Sequence, residues 1–350
     1  MQASSQRGEW AEKLLSAAAL GIALELVLFK FLPDIGTATI QHSISTLADF
    51  HAFEQTYVNP GSVHHARFLG NLILYHLARA IASVDHSLDP RLHPLRIAAG
   101  ILTPLYALLG VYCVLVRDSA FAWRDFIVAW SLAVLIGMYV FYPADMPAMA
   151  LLSIALWMLL RERRVAALVL MLATGLFRES AFHMVWLAAA WAACDRSRPL
   201  PERAVWPAAF AAAFVAQYML IRHWFPGPIS ASGGIILDPR VLFLDRGLLS
   251  LTTLCSLGLA ALFPLACYVR CLPLPVSDWR RNFFLLNCWI FPLWIVFYRM
   301  LSGNISEFRM LFPALLPCIY GIAYGRSPAH SQESARPDGD RCSFPPYWAP

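Results

Sequence analysis

The sequence predicts an all-α protein, a polytopic bundle of about ten transmembrane helices. Three observations lead to this prediction: an apolar composition, a succession of long apolar runs, and arginines gathered between the runs. Hydrophobic residues make up 59% of the chain and charged residues 14%, and the mean hydropathy is +0.57. An ordinary soluble domain carries about a quarter charged residues, so this chain is expected to have lipid as its solvent.

The apolar runs are continuous instead of alternating, which favours membrane helices over strands. A membrane helix needs about 20 mostly apolar residues, and several of the runs are somewhat shorter. The first run follows Arg7 and Lys13 and is longer than a signal-sequence core, so we expect an uncleaved anchor. The predicted spans cover residues 12–33, 95–116, 125–142, 145–160, 165–177, 180–194, 204–221, 248–269, 282–299 and 309–325.

The positions of the basic residues predict the orientation of the spans. With the N-terminus inside, every cytoplasmic segment carries a basic residue beside a helix end, as the positive-inside rule requires. These residues are Arg7 and Lys13; Arg117 and Arg124; Arg161, Arg163 and Arg164; Arg196, Arg198 and Arg203; Arg270, Arg280 and Arg281; and Arg326. Both termini are then cytoplasmic. The net charge of +5 reflects this topology rather than a nucleic-acid surface.

The orientation depends on residues 67–84, which we expect to lie outside as an amphipathic helix on the membrane surface. Arg67, Asn71, His76 and Arg79 support this position, because a charge in mid-bilayer costs about 2.5 to 3.5 kcal/mol. If this segment spans instead, every later orientation flips. The prediction leaves residues 34–94 as one long first extracytoplasmic loop.

The chain divides into two parts by composition. Residues 1–326 form the predicted transmembrane domain, and residues 327–350, rich in Ser, Pro and charge, form a disordered cytoplasmic tail. Neither a Walker A nor a GxGxxG motif occurs, so ATP-driven transport is not expected. Nearly all basic residues are Arg and Ala is abundant, which is typical of GC-rich coding and favours a bacterial inner membrane.

Polar residues that a solvated surface does not readily explain gather at the predicted outer ends of the spans. Charged residues at membrane depth are functional candidates by default. The first loop contributes Asp34, Asp49, Glu54, His64, His65 and Arg67, and later loops contribute Asp145, Arg178, Glu179, Glu307 and Arg309.

Each of these candidates also has a structural explanation. Asp145 lies in a Pro-flanked turn, where an N-cap before Met146 and Pro147 accounts for it equally well. Arg178 and Glu179 could form an ion pair at the membrane interface. Glu307 and Arg309 could anchor the start of the last span at that interface. Asp49 fits an acid in a solvated loop.

No metal site is predicted. His64 and His65 are adjacent and lack the i, i+4 spacing of helical ligands. Cys267 and Cys271 form too isolated a pair for a zinc site, and no cysteine falls in a predicted outer loop, so a disulfide framework is not expected.

In layout, residues 12–325 resemble the GT-C superfamily of membrane glycosyltransferases: a first span, then a long outer loop with an acid and an amphipathic segment, then further spans with basic residues at their outer ends. The stretch from Asp49 to Arg67, LFRES at 176–180 and ISEFRMLFP at 305–313 are similar to motifs of bacterial multi-pass proteins of this group.

This resemblance implies a polyprenyl-phosphate sugar as donor and transfer on the outer face, with no cofactor. By position Asp49 would be the general base, although it lacks an adjacent second acid and Asp34 is a rival. Arg178 and Arg309, and then Arg67, would hold the donor phosphate, because the arginine fork matches phosphate oxygens. His65, Asp145, Glu179 and Glu307 are further candidates for substrate binding.

Two other classes remain open. A secondary transporter or lipid-linked glycan flippase is suggested by the interrupted apolar stretch around Arg178, although no matching break occurs in the second half of the chain. A non-catalytic partner in an envelope assembly would use the Asp49 loop only as a contact surface.

The orientation predicts that cysteines introduced at Ser62 and Ser230 are both extracytoplasmic. An impermeant thiol reagent applied to intact cells should therefore label both positions. Labelling of neither position would contradict the orientation and, with it, the outer site.

Overall fold

The computed structural model describes residues 49–58, 68–84, 93–112, 120–137, 144–225, 251–302 and 311–326, together with Leu47 and parts of 11–21. Every regular element in these ranges is helical, which confirms the all-α class. The α-helices are α1 (Phe50–Phe53), α2 (Phe68–Val84), α3 (Pro94–Gly110), α4 (Trp123–Gly137), α5 (Asp145–Leu160), α6 (Arg164–Phe177), α7 (His183–Cys194), α8 (Leu200–Trp224), α9 (Leu251–Cys271), α10 (Trp279–Ser302) and α11 (Phe312–Gly325). A π-helical turn (Glu54–Val58) follows α1, and a 3-10 turn (Glu179–Phe182) separates α6 from α7.

The helices from α3 onward follow the predicted apolar runs closely. Two of the described helices, Leu200–Trp224 and Trp279–Tyr298, are long and apolar enough to cross a membrane by themselves. Shorter apolar helices are Phe68–Val84, Pro94–Gly110, Asp145–Leu160, Arg164–Phe177, Leu257–Cys271 and Phe312–Gly325. The total of about ten spans stays a prediction.

Helices α5 and α11 form the centre of the bundle. Nearly all of their residues are buried: α5 packs mainly against α3 and α6, and α11 against α4, α9 and α10. The Ser153 hydroxyl donates a hydrogen bond of 2.8 Å to the carbonyl of Gly110, and the Tyr320 hydroxyl donates one of 2.8 Å to the carbonyl of Ser153. Polar atoms at the centre therefore join α3, α5 and α11.

The outward face of α8 is strongly apolar. Exposed side chains on this helix include Val205, Val215, Met219, Leu220 and Trp224. Soluble proteins rarely expose so continuous an apolar surface, whereas lipid tails solvate one without cost.

Contacts at one end of the bundle join all of the basic segments that the sequence assigned to the same side; we call this the basic end. Contacts between segments are Glu12–Arg124, Asp125–Arg326 at 2.8 Å, Glu162–Arg198, Arg164–Glu202 at 3.2 Å, Arg280–Leu160 carbonyl at 3.5 Å and Asp278–Tyr324 at 2.7 Å. The grouping of these segments is thus a property of the fold, and the side of the membrane on which they lie stays a prediction.

Helix α2 corresponds to the segment on which the predicted orientation depends. It is helical, as expected, and it packs against α3 and α6. Its buried face contains Asn71, Leu74 and Ala78, and the Asn71 amide donates a hydrogen bond of 2.9 Å to the carbonyl of Tyr57. Asn71 therefore serves packing rather than solvation, and the position of α2 relative to the membrane stays a prediction.

Close packing at the end of α3 leads to a test of the fold. A Cβ added at Gly110 would approach the fully buried Trp130 ring to less than 3.0 Å, so Gly110→Ala should destabilise the protein by about 1–3 kcal/mol. The measurement is thermal unfolding of the purified protein in detergent.

Gly258 in α9 provides the matched control, because a Cβ there would meet nothing within 4 Å. Gly258→Ala should be neutral or stabilise the helix by about 0.5–1 kcal/mol. An equal loss of stability in both variants would contradict the described packing of α3 on α4.

Candidate functional site

The interruption at Arg178 is a turn between antiparallel helices. Helix α6 ends at Phe177, Arg178 is extended (φ −160°, ψ 145°), and α7 begins at His183 after the 3-10 turn. At the opposite ends of the two helices, the guanidinium of Arg164 lies 4.3 Å from the ring centroid of Trp191. The apolar stretch from 164 to 194 therefore folds back on itself, and Arg178 lies at the bend.

The bend carries a buried ion pair. Arg178 Nη1 donates to Asp145 Oδ1 at 2.7 Å, and the two side chains are 5% and 0% exposed. Removing two such charges from water costs several kcal/mol each, and this cost is offset only by a short, well-aligned contact. The pair thus ties the first residue of α5 to the residue that follows α6.

Asp145 is not the N-cap that one structural explanation proposed. The cap position is Ala144, which makes no side-chain cap hydrogen bond, and Asp145 is the first residue of α5. There its negative charge lies at the positive end of the helix dipole, which adds to the stabilisation from Arg178.

An aromatic cluster with a buried histidine lies beside the bend. His183 Nδ1 lies 3.1 Å from the Ser180 carbonyl, so this nitrogen donates, and Nε2 then accepts from the Tyr298 hydroxyl at 2.9 Å. The rings of Phe182 and Trp294 cover the imidazole at centroid distances of 4.3 and 4.4 Å. These contacts connect the start of α7 to α10.

A shallow surface cleft lies next to the bend, between α6, the 3-10 turn and α8. Glu179 and Arg222 are among its lining residues, and the Arg222 guanidinium lies 5.4 Å from the Tyr218 ring centroid. The Gln217 amide donates to the Leu172 carbonyl and thereby joins α8 to α6. The lining residues are Gly175, Glu179, Phe214, Gln217, Tyr218, Ile221 and Arg222.

Asp49 has a local structural role. It is exposed, and its Oδ1 accepts a hydrogen bond of 2.9 Å from the His51 amide, so it caps the short helix α1. His93 lies nearby: burial lowers its pKa, and the Asp49 carboxylate acts in the opposite direction. Among the described contacts, none joins Asp49 to Asp145 or Arg178.

Glu54, one of the acids of the predicted first loop, pairs with α2. The Tyr75 hydroxyl and the Arg79 guanidinium both donate to its carboxylate, the latter at 3.5 Å. The hydrogen bond from Tyr75, assisted by Arg79, holds the pKa of Glu54 below its usual value. This acid therefore anchors to α2 the π-helical turn that follows α1.

Of the predicted site residues, Asp145, Arg178 and Glu179 are brought to one bend, and Asp49 lies elsewhere. The remaining candidates, His65, Arg67, Glu307 and Arg309, and the rival base Asp34, lie outside the described residues. Sequence reasoning did not single out His183, Tyr298, Gln217 and Arg222. The only available signal was a polar residue interrupting an apolar run, as at His183 and Gln217.

Comparisons of the chain with protein-family models, curated proteins and solved structures return no match. They therefore assign no family to the chain, and the side chains at the bend supply the information on function.

The ion pair at the bend predicts that mutations of its two residues have non-additive effects on stability. Asp145→Leu and Arg178→Met should each destabilise the protein by about 3–5 kcal/mol, because each leaves one buried charge without its partner. The double variant should lose much less than the sum of the two, as measured by unfolding free energies in mixed micelles.

Arg326→Met is the control, since Arg326 pairs with Asp125 in an exposed position. Its effect should stay within about 1 kcal/mol. Additive losses in the double variant would contradict a direct interaction between Asp145 and Arg178.

Proposed function

We propose that the chain is a multi-pass membrane protein of about ten spans, with the basic end in the cytoplasm and the bend at Arg178 on the outer side. The apolar outward face of α8 supports contact with lipid. The contacts among the basic segments support this topology, because they bring every second connection between the proposed spans to the same end of the bundle.

The lengths of the helices suggest that the outer site is recessed. Helices α5, α6 and α7 have 16, 14 and 12 residues, or about 24, 21 and 18 Å at 1.5 Å per residue. The hydrocarbon core is about 30 Å thick, so helices that start at the cytoplasmic interface end below the outer one. Asp145, Arg178 and Glu179 would then lie at the floor of a depression that an amphiphilic substrate reaches from the lipid.

Within this depression we propose glycosyl transfer from a polyprenyl-phosphate sugar to an envelope acceptor. The observation that carries the proposal is a cleft lined by one acidic and one basic residue, Glu179 and Arg222, next to the bend that holds the buried ion pair and against the apolar helix α8. A lipid phosphate places its isoprenoid tail against such a helix and its charge against the guanidinium.

The reaction requires one base and one cation. The acceptor oxygen forms a bond to the anomeric carbon of the sugar, the bond from that carbon to the phosphate oxygen breaks, and polyprenyl phosphate leaves. A carboxylate takes the acceptor proton, and a cation stabilises the negative charge that develops on the phosphate.

We assign the base to Glu179 and the phosphate contact to Arg222. The resemblance to GT-C enzymes favours Asp49 as base, but the contacts of Asp49 are those of an exposed helix cap. Glu179 shares the cleft with Arg222 and directly follows Arg178. In this arrangement Arg178 is a positioning residue, because its pair with Asp145 fixes the backbone from which Glu179 projects.

The alternative of a secondary transporter depended on an interrupted helix at Arg178. The antiparallel contact between Arg164 and Trp191 makes this interruption a turn between two helices, so the observation no longer favours transport.

The proposal is tested with the full-length protein in nanodiscs and a panel of polyprenyl-phosphate hexoses labelled in the sugar. Wild type should release free polyprenyl phosphate and transfer label in the presence of a crude envelope glycan fraction. Glu179→Gln should lower kcat by about 10²–10⁴-fold, which is the range for loss of a general base.

Glu202→Gln is the matched control, because Glu202 is a partly exposed acid at the basic end and should leave kcat unchanged. Loss of transfer in Asp49→Asn with full transfer in Glu179→Gln would reassign the base to Asp49. Absence of release by wild type from every donor would overturn the enzymatic function.

A further inference from the structure

Three cysteine thiols from three different helices converge near the basic end. Cys267 of α9, Cys288 of α10 and Cys318 of α11 place their Sγ atoms within 4.8 Å of one another. Cys267 and Cys318 are buried, and Cys288 is half-buried. We call this group the thiol cluster.

The packing around the thiol cluster makes room for these sulfur atoms. A Cβ added at Gly321, nearly one turn beyond Cys318, would overlap Cys267 Sγ and would lie 3.0 Å from the Phe284 ring. Glycine at this position therefore allows the Cys267 thiol to approach α11. The neighbouring Cys271 thiol contacts Cys267 Sγ at 4.0 Å but does not belong to the group of three mutually close sulfurs, and it donates a hydrogen bond of 3.4 Å to the Gly321 carbonyl.

The spacing of the three sulfurs suits a shared metal ion. Sulfur ligands at about 2.3 Å from a metal lie about 3.8 to 4.0 Å from each other, so small rotations of the side chains would close the cluster around an ion. Thiolates are soft ligands that select Cu(I), zinc and iron–sulfur clusters. A tetrahedral zinc site requires four ligands, whereas three sulfurs satisfy a trigonal ion.

We propose that Cys267, Cys288 and Cys318 bind one soft d¹⁰ cation, Cu(I), in three-coordinate geometry. Each thiol that becomes a thiolate ligand releases its proton to solvent, and no oxidation or reduction accompanies binding. The bound ion links α9, α10 and α11 and so stabilises the folded protein. The gain in the free energy of unfolding increases with the logarithm of the free Cu(I) concentration divided by its Kd. This proposal does not depend on the glycosyltransferase function.

The test uses full-length protein, purified under reducing and anaerobic conditions, which competes with bicinchoninate for Cu(I). Wild type should remove one Cu(I) per chain and show a higher unfolding temperature when loaded. Cys288→Ser should bind Cu(I) roughly 100-fold or more weakly, since a hydroxyl is a poor ligand for a soft ion. Without metal, the Cys288→Ser variant should unfold at nearly the same temperature as wild type, because Cys288 is only half-buried.

Two variants serve as matched controls. Cys271→Ser removes the thiol next to the cluster while its hydroxyl retains a donor for the Gly321 carbonyl, and Cys194→Ser removes a half-buried thiol on α7. Both should keep the affinity of wild type for Cu(I).

Three outcomes would overturn the proposal. The first is a wild-type protein that removes no Cu(I) from bicinchoninate, and the second is a Cys288→Ser variant that binds as tightly as wild type. The third is equal loss of affinity in Cys271→Ser and Cys288→Ser, together with tight binding of Zn(II) by wild type, which would replace the three-coordinate site with a four-coordinate zinc site.

Discussion

The ion pair between Asp145 and Arg178 is buried almost completely, and neither charge could remain there alone. Because α5 begins at Asp145 and α6 ends one residue before Arg178, the pair closes the open end of a helical hairpin. The same constraint fixes the start of the 3-10 turn and so the position of Glu179. The geometry of the cleft therefore depends on one electrostatic contact whose loss would leave a bare charge in an apolar interior.

The two ends of the bundle use charge differently. At the basic end, Arg198 contacts Glu162 and Glu202 in partly exposed pairs, each of which contributes little to stability. Such pairs suit an interface with water and lipid headgroups. At the bend, a single buried pair and a neutral His183–Tyr298 contact satisfy the polar groups without solvent.

The candidate site was partly predictable. Arg178 and Asp145 stood out because a charge in an apolar stretch requires a partner, and that reasoning holds without coordinates. It did not identify the partner: an ion pair of Arg178 with adjacent Glu179 was the simpler expectation, yet Arg178 reaches back 33 residues to Asp145. The thiol cluster was hidden for the same reason, because only the pair Cys267 and Cys271 is close in sequence, and Cys288 and Cys318 arrive on other helices.

The sequence by itself determined the helical class, the approximate bounds of the described helices from α3 onward, and the grouping of the basic segments. Hydrophobic runs and helix-end charges are local patterns, and they decide these features before any packing occurs. The tertiary structure alone decided that Arg178 lies at a turn, that Asp49 is a helix cap, that Glu179 and Arg222 share a cleft, and that three cysteines converge. These features depend on which helix faces pack together, and that choice follows from shape and burial over the whole bundle.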